Sequence, residues 1–481
     1  MINKISRVFI FQLFLIITIG AQSTFQFDIQ SKRNGSSGEE RPFWSMSNYM
    51  GAFDYGPFIS ISSMNINNAF FDMGFSFILY PSHRKHSYMP IGFVSKKKKY
   101  FKIKIGRWKK NITTESDLST GSLIQSNNAI PIPKISLSVP NYNKVIIFKQ
   151  EFWIKGGFSH GWFSKGEYVQ APLLHEKYLY IKKPFNNNSA LSIGVVHEAI
   201  WGGATKNHGK QQQSFSDFVR VISFQSASKI GIPQEQINAL GNHLGVWDIT
   251  YFKNSSSKDL KLYFQHPFED KSSAFQHFFD ELKKWKIPVN SFDGLFGIEI
   301  YNKKSRLVSK FLYEYLNTMN QSGPEAASDS TYGWDNYYNH YIYQSGWTYK
   351  GRVIGNPLFT LGENEGHYSN GTYIVNNRLK AHHIGVSGNI SEKITHKILL
   401  TYSKNYGTYT DQDKFLKKNK PYRFSSGIKQ LSALAQLDFV NVWGNMNIRI
   451  SYAIDRGDLL MNSESLLFSI SYNFSNLSPS Q

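Results

Sequence analysis

The sequence contains no cysteine. That removes a disulfide framework, a thiolate metal site and lipid attachment at an N-terminal cysteine. Beyond the N-terminus no apolar run approaches the roughly 20 residues of a spanning helix. With a mean hydropathy of −0.37, this argues against a helical membrane protein. Acidic residues are scarce, 34 against 54 lysines and arginines, a formal charge of +20. Catalytic signatures are missing as well. There is no G-x-S-x-G elbow and no P-loop. His197-Glu198 begins like a zinc-protease helix, but Trp201 stands where the second histidine belongs. Asp411 and Asp413 lack the glycine and distal glutamate of a calcium loop. The expectation is a protein that is not an enzyme and uses no cofactor or metal. A Ser–His pair assembled from different strands, as in barrel lipases, is the catalytic reading that spacing leaves open among the 14 histidines.

What is present starts with a leader. Lys4 and Arg7 form a basic segment, Val8 to Ile19 an apolar one, and Gly20-Ala21 offers small residues for cleavage. This is the layout of a signal peptide over 1–21, leaving 22–481 as a single domain, since no repeat or low-complexity linker divides it. Ten tryptophans, 28 tyrosines and 37 phenylalanines make the chain unusually aromatic, as in barrels that ring both membrane interfaces with such side chains. The positive charge suits a polyanion: acidic polysaccharide, lipid phosphate or nucleic acid. Export disfavours the last.

The strand signal is clearest at the C-terminus. Leu466, Phe468, Ile470, Tyr472 and Phe474 alternate with Leu467, Ser469, Ser471 and Asn473. Upstream, Met446, Ile448, Ile450, Tyr452 and Ile454 alternate with Asn447, Arg449, Ser451, Ala453 and Asp455. This is period two over about ten residues, the length a tilted strand needs to cross a bilayer. The same pattern recurs at Phe101–Ile105, Ile135–Val139 and Leu431–Phe439. In lipid an open sheet would leave its edge N–H and C=O groups without partners, so the strands must close. The expected fold is all-β: a closed antiparallel transmembrane β-barrel of the outer membrane, with sixteen to twenty strands, roughly, by counting segments.

One segment reads as helix. Phe275, Phe278, Phe279, Leu282 and Trp285 share a helical stripe, Ser273 and Gln276 resemble a capping box, and Pro288 sets the stop. This helix at 272–286 could pack on the barrel rim, plug the lumen or lie on lipid. Counting strands back from Phe474 places it on the periplasmic side, and places Asn405 to Lys429 outside the cell.

Between the strands lies a series of motifs: Arg41-Pro42-Phe43-Trp44 with Asn48; Ser119-Thr120-Gly121-Ser122-Leu123; Ser126-Asn127-Asn128-Ala129 and Pro131-Ile132-Pro133-Lys134; His197, Trp201-Gly202-Gly203, Gly241-Asn242-His243-Leu244-Gly245 and Asp293-Gly294-Leu295; then Tyr313-Glu314-Tyr315-Leu316-Asn317, Gln321-Ser322-Gly323-Pro324, Asp335-Asn336-Tyr337-Tyr338-Asn339-His340, Gln344-Ser345-Gly346-Trp347 and Gly355-Asn356-Pro357-Leu358. In this order, over about Arg41 to Leu358, they resemble the Wzi-type capsule assembly family of outer-membrane proteins. The resemblance implies a barrel of about eighteen strands with an occluded lumen, and a lectin-like role holding capsular or exopolysaccharide at the cell surface. It assigns no sugar-contacting residue. Asn128-Ala129-Ile130 departs from the pattern, which would place a basic residue before the proline.

Candidate glycan contacts therefore come from chemistry. Trp201, Asp335, Tyr337, Tyr338 and Trp347 could stack on sugar faces or bond hydroxyls, or they could fill the lumen. Asn405 to Lys429 carries Lys414, Lys417, Lys418, Lys420, Arg423 and Lys429 interleaved with Tyr406, Tyr409, Phe415, Tyr422 and Phe424. It is either a solvated loop over lipid phosphates or a charged, aromatic platform for an acidic polymer. An outer-membrane porin or nutrient transporter is the competing function; a barrel lipase or deacylase is the third.

Overall fold

The structure, a computed structural model, describes residues 22–33, 41–51, 58–67, 71–109, 113, 116–165, 169–205, 207–228, 231, 233–237, 239–269, 292–321, 335–362, 374–409 and 421–474. The leader and the helix expected at 272–286 lie outside these residues, as do Lys414, Lys417, Lys418 and Lys420.

Alternation continues around the whole molecule. Among the described residues eighteen strands join one antiparallel sheet. They are β1 (Gln22–Arg33), β2 (Phe58–Asn67), β3 (Asp72–Leu79), β4 (Tyr88–Lys98), β5 (Phe101–Arg107) and β6 (Lys134–Ile147). Next come β7 (Gln150–Trp162), β8 (Leu173–Asn186), β9 (Ser189–Trp201), β10 (Asn242–Asn254), β11 (Lys258–Phe268) and β12 (Gly294–Asn302). The last six are β13 (Lys310–Asn317), β14 (Leu379–Asn389), β15 (Ile394–Asn405), β16 (Ile428–Trp443), β17 (Met446–Gly457) and β18 (Ser463–Phe474). Each strand pairs with the one before and the one after it. The ring closes where β1 pairs with both β2 and β18, with Ser23 opposite Phe474 and Arg33 opposite Glu464. No edge is left to satisfy, which is the condition for a sheet in lipid.

The faces separate as the alternation predicts. On β18, Leu466 and Tyr472 are exposed outward while Ser463, Ser465 and Ser469 are buried inward; on β17, Ile450 and Tyr452 point out while Ser451, Ala453 and Asp455 point in.

The two rims differ. At one, connections are tight: Lys98 to Phe101, Ile147 to Gln150, Asn186 to Ser189 and Trp443 to Met446. Phe148 and Lys149 both take positive φ, 50° and 62°, the turn whose twist suits a two-residue hairpin. Phe474 ends at this rim, which is the periplasmic one by the usual rule for such barrels. The opposite, outer rim carries the long connections, among them 202–241, 318–378 and 406–427. Asn405 to Lys429 is thus on the outer rim, as expected.

The flanks of the 272–286 segment overturn the other topological expectation. Phe268 and Gly294, which bracket it, both sit at the outer rim, close to Gly245 and Asn317 in the ladders. The described ends of that connection therefore leave and re-enter the wall at the outer rim. Among the described residues no barrel strand lies between Asn317 and Leu379. Asn317 pairs with Lys380 directly, and the described parts of the intervening chain turn into the lumen.

That chain, with the connection between β5 and β6, fills the barrel. Leu118, Leu123, Ile124, Ile132, Tyr337, Tyr343 and Trp347 belong to one core cluster with the inward faces of the wall. A short helix α1 (Phe43–Met46) enters the same space against β16 and β17. A second, separate cluster of Ala199, Trp201, Val221, Ala227 and Leu240 lies outside the wall. There the β9–β10 connection, with α2 (Phe215–Ile222) and α3 (Pro233–Ile237), folds back over the barrel.

Candidate functional site in a plugged lumen

The plug is built on one buried carboxylate. Glu314 points inward from β13. It accepts hydrogen bonds from Ser119 Oγ at 2.5 Å, from Thr120 N and Oγ1 at 2.8 Å each, and from Tyr263 Oη. Gln265 on β11 takes the next two donors, Ser122 Oγ and Leu123 N, both at 3.1 Å. The Ser119-Thr120-Gly121-Ser122-Leu123 motif is therefore a run of donors matched to two wall acceptors.

The second plug segment is tied to the first. Trp347 Nε1 donates to Ile124 O at 2.8 Å. Tyr338 Oη donates to Leu123 O and accepts from Asn356 N at 2.9 Å. Asn356 Nδ2 donates to Gly121 O at 2.6 Å, and Asn128 Nδ2 to Val353 O at 3.0 Å. Gly355 is glycine for a steric reason: a Cβ there would lie 2.0 Å from Tyr338 Oη and 2.5 Å from Leu123 O. At the outer rim Asp293 clamps the same segment. It accepts Gln321 N at 2.7 Å, Asn320 N at 3.0 Å and Tyr337 Oη at 3.2 Å. Burial pushes its carboxyl up to about 6 despite these donors, which act to lower it. His383 closes the circuit. Its Nε2 faces Leu118 O at 2.6 Å and so carries the hydrogen, leaving Nδ1 to accept from Thr401 Oγ1 at 2.8 Å.

A cavity lies on each side. The outer one, about 430 Å³, is lined by Arg41, Arg352, Asn128, Gln430, Phe359 and Leu460. The periplasmic one, about 250 Å³, is lined by Lys109, Lys397, Arg449, Asp117, Asn48 and Gln125. Ser47 borders both, so the α1 segment is the septum. In the inner cavity Arg449 Nε pairs with Asp438 Oδ1 at 2.5 Å and Lys310 Nζ with Asp117 Oδ1 at 2.9 Å. Burial raises the Asp117 carboxyl, but the Lys310 hydrogen bond and the charges of Lys310 and Lys397 outweigh it and leave it below its ordinary value. Both cavities carry positive side chains, but the inner one is mainly polar whereas the outer one also presents Phe43, Met46, Leu358 and Leu459. Positive charge beside apolar surface would suit an anionic sugar, whose rings have apolar faces.

The expected site residues scatter over this plan. Tyr337, Tyr338 and Trp347 are at most 2% exposed; their rings pack in the lumen and their polar tips serve the plug. Asp335 is half-buried at the outer rim, its N–H donating to Gln321 O at 3.0 Å. Trp201 is outside the wall, stacked on Phe218 at 5.6 Å. Tyr422 is buried with Phe424, Ile428 and Leu459, and its Oη accepts from Thr408 N at 3.0 Å. None of the five aromatic rings, Trp201, Tyr337, Tyr338, Trp347 and Tyr422, offers a free face, since each is buried. In the loop of Asn405 to Lys429, Arg423 and Lys429 are exposed. Arg41 opens the first family motif and Arg352 belongs to none; neither is a candidate contact by sequence, because an arginine in a loop carries no periodicity to betray that it faces a cavity. Among the described residues no group of three histidine, aspartate or glutamate side chains is arranged to hold a metal ion.

A closed eighteen-strand sheet with an apolar outer face and an inner face of mixed polar and apolar side chains, filled by its own long connections, defines an outer-membrane β-barrel with a blocked lumen. The profile of the family described as capsule assembly protein Wzi matches residues 31–382, and the chain belongs to that family. Among solved structures the fold is similar to Wzi of Escherichia coli, an outer-membrane protein involved in group 1 capsule assembly and a carbohydrate-binding β-barrel. The TM-score is 0.57 at 12% identity, over 96% of this chain and 87% of that one. OprD of Pseudomonas aeruginosa gives a TM-score of 0.43 at 9% identity, over 95% and 94% of the two chains. OccAB1 of Acinetobacter baumannii gives 0.43 at 8%, over 94% and 96%. No curated protein matches the chain.

Proposed function

We propose that this protein is a non-enzymatic anchor for capsular or exopolysaccharide, holding an acidic polymer at the outer rim of the barrel. The observation that carries the reading is the plug. Glu314, Gln265 and Asp293 bind the two lumen segments through a dense set of hydrogen bonds, an arrangement suited to a fixed platform rather than to a nutrient path. The carbohydrate binding of the E. coli structure supports it, as does the charge of +20. Polymer would engage the outer cavity through Arg41 and Arg352. Lys414, Lys417, Lys418 and Lys420, with the exposed Arg423 and Lys429, would gather it by charge. Trp201, Tyr337, Tyr338, Trp347 and Tyr422 are read as scaffold, and Asp335 as a rim residue within reach of hydroxyls. The lipid partner is the hydrocarbon facing Ile450, Leu466 and their counterparts.

The test is binding of the refolded barrel to acidic and neutral polysaccharides across a salt series. Acidic polymer should bind more tightly, and the preference should fade as salt screens exposed charge over about 10 Å at 0.1 M. Arg41→Gln with Arg352→Gln should weaken it further. Equal, salt-independent retention of neutral polymer would contradict the electrostatic reading.

A further inference from the structure

The outward faces of β7 to β10 change character near the outer rim. Lower on the wall they present exposed apolar side chains to lipid: Phe158, Leu179, Ile181, Ile193 and Ile249. At the same outward parity, Lys177 and His197 stand level with Phe158, and His160, His175 and His243 stand one step nearer the rim. Polar and ionisable groups facing hydrocarbon are costly. Here they do not meet it, because the β9–β10 connection covers them. Phe224 lies 4.0 Å from His197 and Phe218 lies 5.5 Å from His160 between ring centroids. Lys177 Nζ donates to Ile222 O.

The cover is led by α2, which starts at a capping box between Ser214 and Asp217. It buries Asp217 and Val221 toward the wall. Its stripe of Phe215, Phe218, Val219 and Ile222, at i, i+3, i+4 and i+7, is turned partly away from the protein. Phe215 is 80% exposed and Val219 47%. Water is a poor destination for that face. The stripe is continuous with the apolar belt, since Phe218 packs edge-on to the belt residue Phe158 at 6.1 Å and Phe215 follows at 6.5 Å from Phe218. A helix with one apolar face, placed at the upper edge of a barrel's hydrophobic band, has the properties of an interfacial helix.

We propose that α2 lies in the outer-leaflet interface and sinks Phe215 and Val219 among lipid acyl chains. It converts a histidine-rich patch of wall into lipid-compatible surface and pins the β9–β10 connection to the membrane. The proposal does not depend on what the outer rim binds.

Because the native chain has no cysteine, single-cysteine labelling tests it directly. Phe215→Cys, Val219→Cys, Leu179→Cys as the belt reference and Ser223→Cys as the exposed polar reference would each carry an environment-sensitive fluorophore. The full-length barrel would be reconstituted in phospholipid vesicles. The expected result is that acyl-chain nitroxide lipids quench the labels at 215 and 219 as strongly as at 179, while aqueous iodide quenches only the label at 223. Iodide quenching at 215 and 219 equal to that at 223 would overturn the proposal. Protection from both quenchers would overturn it too, pointing to a protein partner or a second copy on this face. Val219→Cys, with the milder change of volume, keeps the test valid if loss of Phe215 disturbs the cover.

Discussion

Glu314 has four hydrogen-bond donors around one carboxylate, and they join two strands to the first lumen segment. Glu314→Ala would leave those donors buried without an acceptor, at roughly 1–3 kcal/mol each where water cannot reach them. The plug should loosen while the ring of strands, held by its own ladder, persists. The expected outcome is a variant that still refolds but shows frequent ion-conducting openings in planar bilayers, against a silent parent. A variant as silent as the parent would mean that the plug does not rely on this carboxylate. At this scale the sequence was only partly readable. The motifs from Ser119 to Pro357 stood out as a set, but their residue types fit either sugar contact or lumen filling. Trp347 is a case in point: an indole N–H needs an acceptor whether that is a hydroxyl of a ligand or, as here, the carbonyl of Ile124.

Strands were the most legible elements, because burial on one side and lipid on the other impose a strict period of two. β17 follows it from Ile450 to Asp455 and β18 from Ser463 to Leu466. Replacing Ile470 with arginine on the outer face of β18 should destabilise by roughly 2–4 kcal/mol if it sits near the bilayer midplane, whereas Ser471→Arg on the inner face should be far milder. Equal damage in a refolding titration would contradict the assignment of faces. Helices were harder to read. α2 spans eight residues, two turns, too few for its stripe to stand out from strand-like neighbours, and nothing in a sequence says that a connection folds outside its own barrel. That cover also holds a titrating group. Burial pushes the Glu235 carboxyl up to about 7; the Gly241 N–H, which it accepts at 3.1 Å, acts to lower it, and the nearby Asp217 charge to raise it. Undocked, the same carboxyl ionises near 4.5. Between these values the docked segment keeps a proton that the free segment has lost, so docking weakens as pH rises through that window and levels off above it. Hydrogen exchange at Leu240 and Gly241 should accelerate from pH 5 to pH 7 beyond the intrinsic chemical rate. Glu235→Gln should abolish the excess; an unchanged excess in that variant would assign it to another group.

At the scale of the whole molecule, closure followed from alternation, because a sheet in lipid has only one way to satisfy its edges; alternation bounded the strand count only to roughly sixteen to twenty, and eighteen was what the family resemblance implied. Sidedness of individual connections did not. The stretch from Asn317 to Leu379 contains β-prone, aromatic sequence, and whether any of it crosses the membrane decides which rim the connection after Phe268 joins. In the structure Thr348–Tyr349 pairs with Arg352–Val353, and Thr360–Leu361 with Ile374–Asn376, as small hairpins off the wall. Local alternation cannot distinguish a strand that crosses a membrane from one that fills a lumen. The blocked barrel and the excess of positive charge both support the proposed retention of an acidic polymer at the outer rim. The most direct measurement is the partition of polysaccharide between cells and medium when Lys414, Lys417, Lys418 and Lys420 are changed together to serine. The account predicts that polymer moves into the medium while total synthesis and barrel abundance hold; a partition identical to that of the parent would contradict it.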